Sequence, residues 1–449
     1  LIIGGSDAGI SAALRAREID HSLHVTVLVA DDFPNYSICG LPFYLSGEIK
    51  DWHSLAHRGM EEIEKEGIQV LLSQRATLID PKGKTVSSVD KKGNALVHPY
   101  DKLIIGTGAV SARPAIEGLD LPGVYFLRWM GDGMAIHDYL ISHGPKSVTI
   151  VGSGYISMEM ADALIYRGIS VTVLARSGSV LKTVDPEMGG IIRKVLQDHG
   201  VNVIDQVQVS AIERDDETLV LRNNRGISLN ADMVLVAVGS RPETALAEQA
   251  GVLTGAGGAI QVNRAMETNL PHIYAAGDCA ETWHCLLDTT TYLPLGSTAH
   301  KQGRVAGENA AGGNAEFAGS LGTQVVKVFD RVVARTGLRE MEAREAAFDP
   351  LTVEMETWDH KAYYPGATRM RIRITGDRHS GRLLGAQMIG HHSAEVSKRI
   401  DVLATAIFNG MSVEELGSLD LSYTPPLSSP WDPIQMSAQK WTKEHRTAL

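Results

Sequence analysis

The chain has 449 residues, too many for one hydrophobic core, and its length fits two or three domains. A hydrophobic content of 44% with 45 glycines is ordinary for a globular α/β protein. The net charge of -11 argues against nucleic acid or an anionic membrane as partners, and no apolar run approaches the roughly 18 residues of a spanning helix.

Leu1-Ile2-Ile3 followed by Gly4-Gly5-Ser6-Asp7-Ala8-Gly9 predicts a buried strand turning into a helix, from Ile10 to about Glu18. Val25-Thr26-Val27-Leu28-Val29 is the next strand. Glycines in such a turn let the backbone approach a pyrophosphate seated on the helix N-terminus, where amides and the dipole favour negative charge. Gly4, Ser6 and Gly9 are the contacting positions, Ser6 replacing the middle glycine. Val29 occupies the usual acidic position after the second strand, so Asp31 or Asp32 is expected to reach a ribose from a shifted place.

Asn35-Tyr36-Ser37-Ile38-Cys39-Gly40-Leu41-Pro42 comes next. Ligands of dinucleotide folds sit at the carboxyl ends of the strands, so a thiol arriving there can face a bound cofactor. Leu41 to Leu45 can begin a helix, with Pro42 tolerated in its first turn. A thiol at a helix N-terminus is expected to have a lowered pKa, and the thiolate is the reactive form. The competing reading is a buried, inert cysteine. Cys279 and Cys285 read as structural, and Tyr44 stands where the second cysteine of a dithiol would follow Cys39. Three scattered cysteines, none in Cys-x-x-Cys, point to reducing cytoplasm; no signal-peptide pattern is seen and no metal site is expected.

Tyr100 to Ala109 forms a strand ending in Gly106-Thr107-Gly108. The first pattern then repeats: Val148-Thr149-Ile150-Val151, the turn Gly152-Ser153-Gly154-Tyr155-Ile156-Ser157, a helix to about Tyr166, and the strand Val171-Thr172-Val173-Leu174. Ser157 replaces the last glycine. A carboxylate after that strand would accept the 2'-hydroxyl of NAD, whereas an arginine suits a 2'-phosphate. The strand ends Leu174-Ala175-Arg176-Ser177, which predicts NADPH over NADH with Arg176 on the phosphate; a solvated loop arginine is the alternative. Ala231 to Pro242 mirrors the Gly-Thr-Gly strand, and Ile273 to Asp278 sets a carboxylate just past a buried strand.

Together these four elements resemble the flavoprotein pyridine nucleotide-disulfide reductase family over essentially the whole chain. The resemblance implies an α/β fold of two Rossmann-like nucleotide-binding domains plus a C-terminal α+β dimerisation domain. The expected FAD domain covers 1–115 and 245–320, the NAD(P) domain 116–244, and the dimerisation domain 321–449. Asp278 matches the family aspartate on the FAD ribityl chain, and Glu159 a glutamate at the nicotinamide side. Thr107 and Gly108 belong to a crossover between domains.

Ser37 to Tyr44 resembles the single-cysteine branch of that family, which contains coenzyme A-disulfide reductases, polysulfide and persulfide reductases, NADH oxidases and NADH peroxidases. Tyr292 to Arg304, Tyr363 to Gly366 and Tyr423 to Ser429 carry the same likeness. Tyr363 and Tyr423 match two tyrosines that reach the cysteine from the partner subunit, Tyr364 being a weaker stand-in for the first. Oxidases and peroxidases of the branch carry a histidine in the first glycine loop. Here the loop reads Ser6-Asp7-Ala8, which ranks that chemistry second. His284 and His300 read as structural.

Coenzyme A binders of the branch show paired arginines and an asparagine before the cysteine, where this chain has Arg17-Glu18 and Ile38. Arg15, Arg17, Arg58 and Arg304 are the expected phosphate ligands, opposed by Glu18. Only Thr442 to Leu449 follow Trp441, and the appended sulfur-transfer domain of some relatives is not expected. The implied activity passes electrons from NADPH through FAD to Cys39 and on to a small disulfide, persulfide or other oxidant, in a homodimer with shared sites. A flavin reductase serving a protein carrier and a non-catalytic redox sensor are the other readings.

Overall fold

The computed structural model describes residues 1–448, so only the last residue of the expected C-terminal unit lies outside it. The first sheet has five parallel strands in the order Ile273–Ala275, Leu103–Ile105, Ile2–Ile3, Val25–Leu28 and Ile68–Leu71. Its short strands are mostly Val, Ile and Leu because helices cover the sheet and bury most of their side chains. The helix Asp7–Ile19 packs on the later helix Gly296–Ala310, whose Gly303 and Gly307 sit against Ala8 and Ala12.

The second sheet repeats the plan with Asn202–Asp205, Ser170–Ala175, Ser147–Val151, Met233–Val236 and Val124–Tyr125, all parallel. The two crossover segments meet: Ala109–Ser111 pairs antiparallel with Ser240–Pro242, and the Thr107 hydroxyl donates to the Glu243 carbonyl at 2.6 Å. One hinge ribbon thus joins both nucleotide-binding units.

The tail is a five-stranded antiparallel sheet, Gln324–Val328, Arg331–Gly337, Leu383–His391, Arg369–Asp377 and Pro350–Trp358, backed by helices Val396–Phe408 and Pro433–Ala448. Two three-stranded meanders complete the α/β fold, Arg75–Asp80 with Thr85–Val89 and Ala95–Pro99, and Val209–Asp215 with Thr218–Asn223 and Leu229–Ala231. No helix among the described residues is long and apolar enough to cross a membrane.

Candidate active site

A cavity of about 440 Å³ opens at the carboxyl ends of the first sheet. Gly4, Ser6 and Thr107 line it, together with Asp31, Gly106, Trp129 and Glu243. Gly4 has a φ of +108°, and a Cβ there would strike the Gly106 carbonyl oxygen. A Cβ on Gly9 would strike the Gly4 carbonyl oxygen, so Gly9 lets the helix start against the strand without itself lining the cavity. Ser6 is the N-cap of that helix. Exposed amides, a bare backbone and a cleft beside the sheet form a cradle that fits a dinucleotide pyrophosphate. Asp31 faces the cavity and its carboxyl is pushed up by burial, whereas Asp32 is held outside by Lys91 and Ser73.

The second glycine loop has the same build. Gly152 has a φ of +120°, and a Cβ there would meet the Ala237 carbonyl oxygen. Gly154 caps the helix Tyr155–Tyr166 with open space around it. Arg176 is exposed just beyond the strand Ser170–Ala175, with no hydrogen bond or ion pair among the described residues. Leu181 donates its amide to the Ser153 carbonyl at 2.8 Å, which ties the following segment to this loop and sets exposed Lys182 near it.

Cys39 occupies a tight turn, Ile38–Gly40, ahead of the helix Leu41–Ser46 with Pro42 in its first turn. The turn is strapped to both sides: the Asn35 amide donates to the Gly5 carbonyl at 2.7 Å and the Ser37 amide to Leu55 at 2.8 Å. The helix Leu41–Ser46 packs on Tyr155–Tyr166 of the second unit, and Arg167 donates to the Leu45 carbonyl. Ile38 lines the cavity and Cys39, its neighbour, is exposed.

Four charges from separate elements act on the Cys39 sulfur. Although the residue is open to solvent, protein packed around the sulfur desolvates a thiolate and is first in pushing its pKa up, followed by Glu159 and Asp7; Arg128 opposes them and Asp278 adds to them. The expected lowering by the helix N-terminus is therefore corrected. The following helix has only six residues and contributes little dipole, while three carboxylates face one guanidinium. Glu159 is itself raised to about 7 by burial and by Asp162, with Lys327 opposing. Its charge opposite Cys39 consequently changes near neutral pH.

Asp278 is paired with Arg128, a residue the sequence reading missed. Arg128 also donates to the Ala109 carbonyl at 3.3 Å, while its amide and that of Trp129 bond Asp132 at 2.8 and 2.9 Å to start the helix Met130–His143. Tyr292 donates to the Asp278 carbonyl at 3.1 Å, and its phenol is pushed up to about 12, chiefly by burial. Gly108, at a φ of +71°, lies against Trp129.

The four candidate arginines do not converge. Arg15 pairs with Glu308 at 2.6 Å and Glu18 at 2.8 Å, and Arg304 pairs with Glu18 at 3.2 Å. Glu18 thus neutralises two of them within the helix pair. Arg17 donates to the Glu66 and Leu23 carbonyls at 2.8 Å and to His21, at the far end of a helix that rises about 1.5 Å per residue away from the cavity. Arg58 is exposed beside His57, whose Nε2 lies 3.8 Å from Asp7.

Tyr363 and Tyr423 are surface residues, 74% and 46% exposed, without hydrogen bonds among the described residues. Their loops adjoin through Lys361, whose amide donates to the Pro425 carbonyl at 3.3 Å. Cys279 is buried, its thiol bonded to the Ile105 and Ala276 carbonyls at 3.4 Å, and Cys285 bonds the Ala318 carbonyl at 3.5 Å. His284 accepts two backbone amides, and His300 bonds Ser11 at 2.8 Å.

Residues 1–303 match the pyridine nucleotide-disulphide oxidoreductase family, and residues 323–433 match its dimerisation domain. The chain is 36% identical to the NAD(P)H sulfur oxidoreductase (CoA-dependent) of Pyrococcus furiosus, over 98% of both chains. The structure of an NAD-dependent persulfide reductase from A. fulgidus superimposes with a TM-score of 0.95 at 37% identity, over 99% of this chain and 83% of that one. An engineered water-forming NADPH oxidase, a mutant of the Lactobacillus brevis NADH oxidase bound to NADPH, gives a TM-score of 0.95 at 25% identity, over 100% and 99%. With two glycine cradles, a crossover ribbon and a dimerisation sheet, the chain is an FAD-dependent NAD(P)H oxidoreductase of the pyridine nucleotide-disulphide oxidoreductase family.

Proposed function

We propose that the enzyme takes electrons from NADPH and reduces a small disulfide or persulfide through Cys39 alone. The observation that carries this reading is the setting of Cys39: an exposed residue in a turn strapped to Gly5 and Leu55 of the first unit, ahead of a helix packed on the second, with the other two cysteines bonded into the protein away from it. Residues 1–115 with 245–320 would hold FAD, 116–244 the pyridine nucleotide, and 321–449 the dimer contact. Bound FAD supplies the two-electron link between NADPH and sulfur.

The Cys39 thiolate attacks one sulfur of the substrate. The substrate S–S bond breaks, a Cys39 mixed disulfide forms, and the leaving thiolate takes a proton. Two further electrons cleave the mixed disulfide and regenerate the Cys39 thiolate with a second thiolate product. Arg128 favours the thiolate, and the neutral form of Glu159 removes one of the charges opposing it. Tyr363 and Tyr423 of a partner subunit donate the protons, which makes each site a product of the dimer. The likeness to the sulfur oxidoreductase and the persulfide reductase supports this acceptor class. The carboxylate-bearing, histidine-free loop at Asp7 ranks oxygen or peroxide second, and the internal pairing of Arg15, Arg17 and Arg304 leaves coenzyme A as one disulfide among several. The reading fits a cytoplasmic enzyme, where small thiols cycle.

The preference for NADPH rests on Arg176 and Lys182. The engineered NADPH oxidase bears Asp→Ala, Ala→Arg and Met→Ser at three successive positions and a further Pro→Arg downstream. This chain reads Ala175-Arg176-Ser177 at the end of its second-unit strand, with Lys182 downstream. Both remove a carboxylate that would repel a 2'-phosphate and supply cations to bind it. The experiment that tests the proposed function is anaerobic NADPH oxidation by the FAD-loaded enzyme with a small symmetric disulfide or persulfide. Steady turnover is expected; turnover confined to oxygen or peroxide would overturn it.

A further inference from the structure

We infer that Arg399 is the positioning residue that holds Tyr363 and Tyr423 in one arrangement; this rests on the proton-donor role proposed for those tyrosines. Arg399 lies on the helix Val396–Phe408 and is buried. Its guanidinium reaches four acceptors, one on the turn before its own helix and the others on two segments distant in sequence. Nη2 donates to the Asp359 carbonyl at 2.7 Å and the Leu427 carbonyl at 3.2 Å, Nη1 to the Asp432 carboxylate at 3.0 Å, and Nε to the Ala394 carbonyl at 3.1 Å.

Each end of this fork closes a loop that carries one tyrosine. The Asp359 carboxylate accepts from the His360 and Thr368 amides at 2.8 and 2.9 Å and from the Thr368 hydroxyl at 2.9 Å, which pins both ends of the loop bearing Tyr363. Asp432 accepts from the Ser428 hydroxyl at 3.2 Å and the Ile434 amide at 2.8 Å, which pins the segment following Tyr423 to the start of the helix Pro433–Ala448. Apart from Arg399, the hydrogen bond joining these loops among the described residues is that from Lys361 to Pro425. The phenols themselves are exposed and lack bonds within the subunit, so their placement depends on the loops beneath them.

A planar fork with five donors spans such a set, and a lysine with one nitrogen cannot. Arg399→Lys keeps the charge beside Asp432 and releases at least one carbonyl. The expected result is at least a roughly tenfold lower kcat with the small disulfide or persulfide, while NADPH–ferricyanide turnover, dimer mass and FAD content stay unchanged. In a variant already carrying Tyr363→Phe and Tyr423→Phe, the same substitution is expected to add less than a roughly twofold loss.

Wild-type disulfide turnover in Arg399→Lys, or equal losses in the disulfide and ferricyanide assays, would overturn the inference. A phenol-free variant with full turnover would instead sink the role of the tyrosines, and the inference with it. If Arg399→Lys does not give a folded dimer, Asp432→Asn carries the test, since the arginine stays and its ion pair is lost. Selective loss of disulfide turnover in that variant supports the positioning role, and unchanged turnover overturns it.

Discussion

Cys39→Ser is expected to lower anaerobic NADPH–disulfide turnover by roughly 1,000-fold or more, the scale of removing a nucleophile, with NADPH–ferricyanide turnover retained. Serine fills nearly the same space, so the strapped turn between Gly5 and Leu55 should persist. Its hydroxyl cannot exchange with a disulfide, and no other thiol can substitute. Cys279 is fully buried with its thiol bonded to two carbonyls, and Cys285 is bonded to Ala318. Retention of ferricyanide turnover separates loss of the thiol from loss of the cofactor sites. Equal retention of both activities would mean that electrons leave by another route.

Replacing both Arg176 and Lys182 with alanine is the second large expectation. The ratio of kcat/KM for NADPH over NADH should fall by roughly 100-fold, with Arg176→Ala alone giving roughly tenfold. A charge-assisted hydrogen bond to a phosphate contributes about 1.5–3 kcal/mol, and the exposure of both side chains argues for the lower end through solvent screening. Values for NADH itself should hardly change, because the glycine loop around Gly152 and Gly154 and the Ser153 carbonyl bond to Leu181 are untouched. Higher salt should narrow the wild-type preference in the same direction. Steady-state kinetics with both nucleotides checks this, and an unchanged ratio would return Arg176 to the role of a solvated surface arginine.

Much of the fold was legible because single residues dictate it. Gly4, Gly9 and Gly152 stand where a Cβ would strike a carbonyl, so the strand-glycine-helix pattern carries its own steric reason. The crossovers at Thr107 and Ser240 were legible as strand ends. The meander Arg75–Pro99 was not, because strands such as Ala95–Pro99 are mostly exposed and show little apolar alternation.

The electrostatics of the site were the least legible part. The pairs Arg128 with Asp278 and Arg399 with Asp432 join distant segments and leave no local signature. The direction of the Cys39 pKa turned first on desolvation of the sulfur and then on Glu159, Asp7, Arg128 and Asp278, which meet only once the second unit docks on the first. Likewise, the distance of Arg17 from the cavity follows from helix length: it stands in the last turn of the helix Asp7–Ile19, away from the glycine loop, where it bonds the Glu66 carbonyl.

The central claim, that one cysteine exchanges disulfide with a small sulfur substrate, is most directly tested by the intact mass of the purified oxidised enzyme. The expected spectrum shows a mass added on Cys39 that equals a small thiol or sulfur group and disappears on addition of NADPH. A single added oxygen on Cys39, or an unmodified cysteine in an enzyme that still turns over, would contradict it.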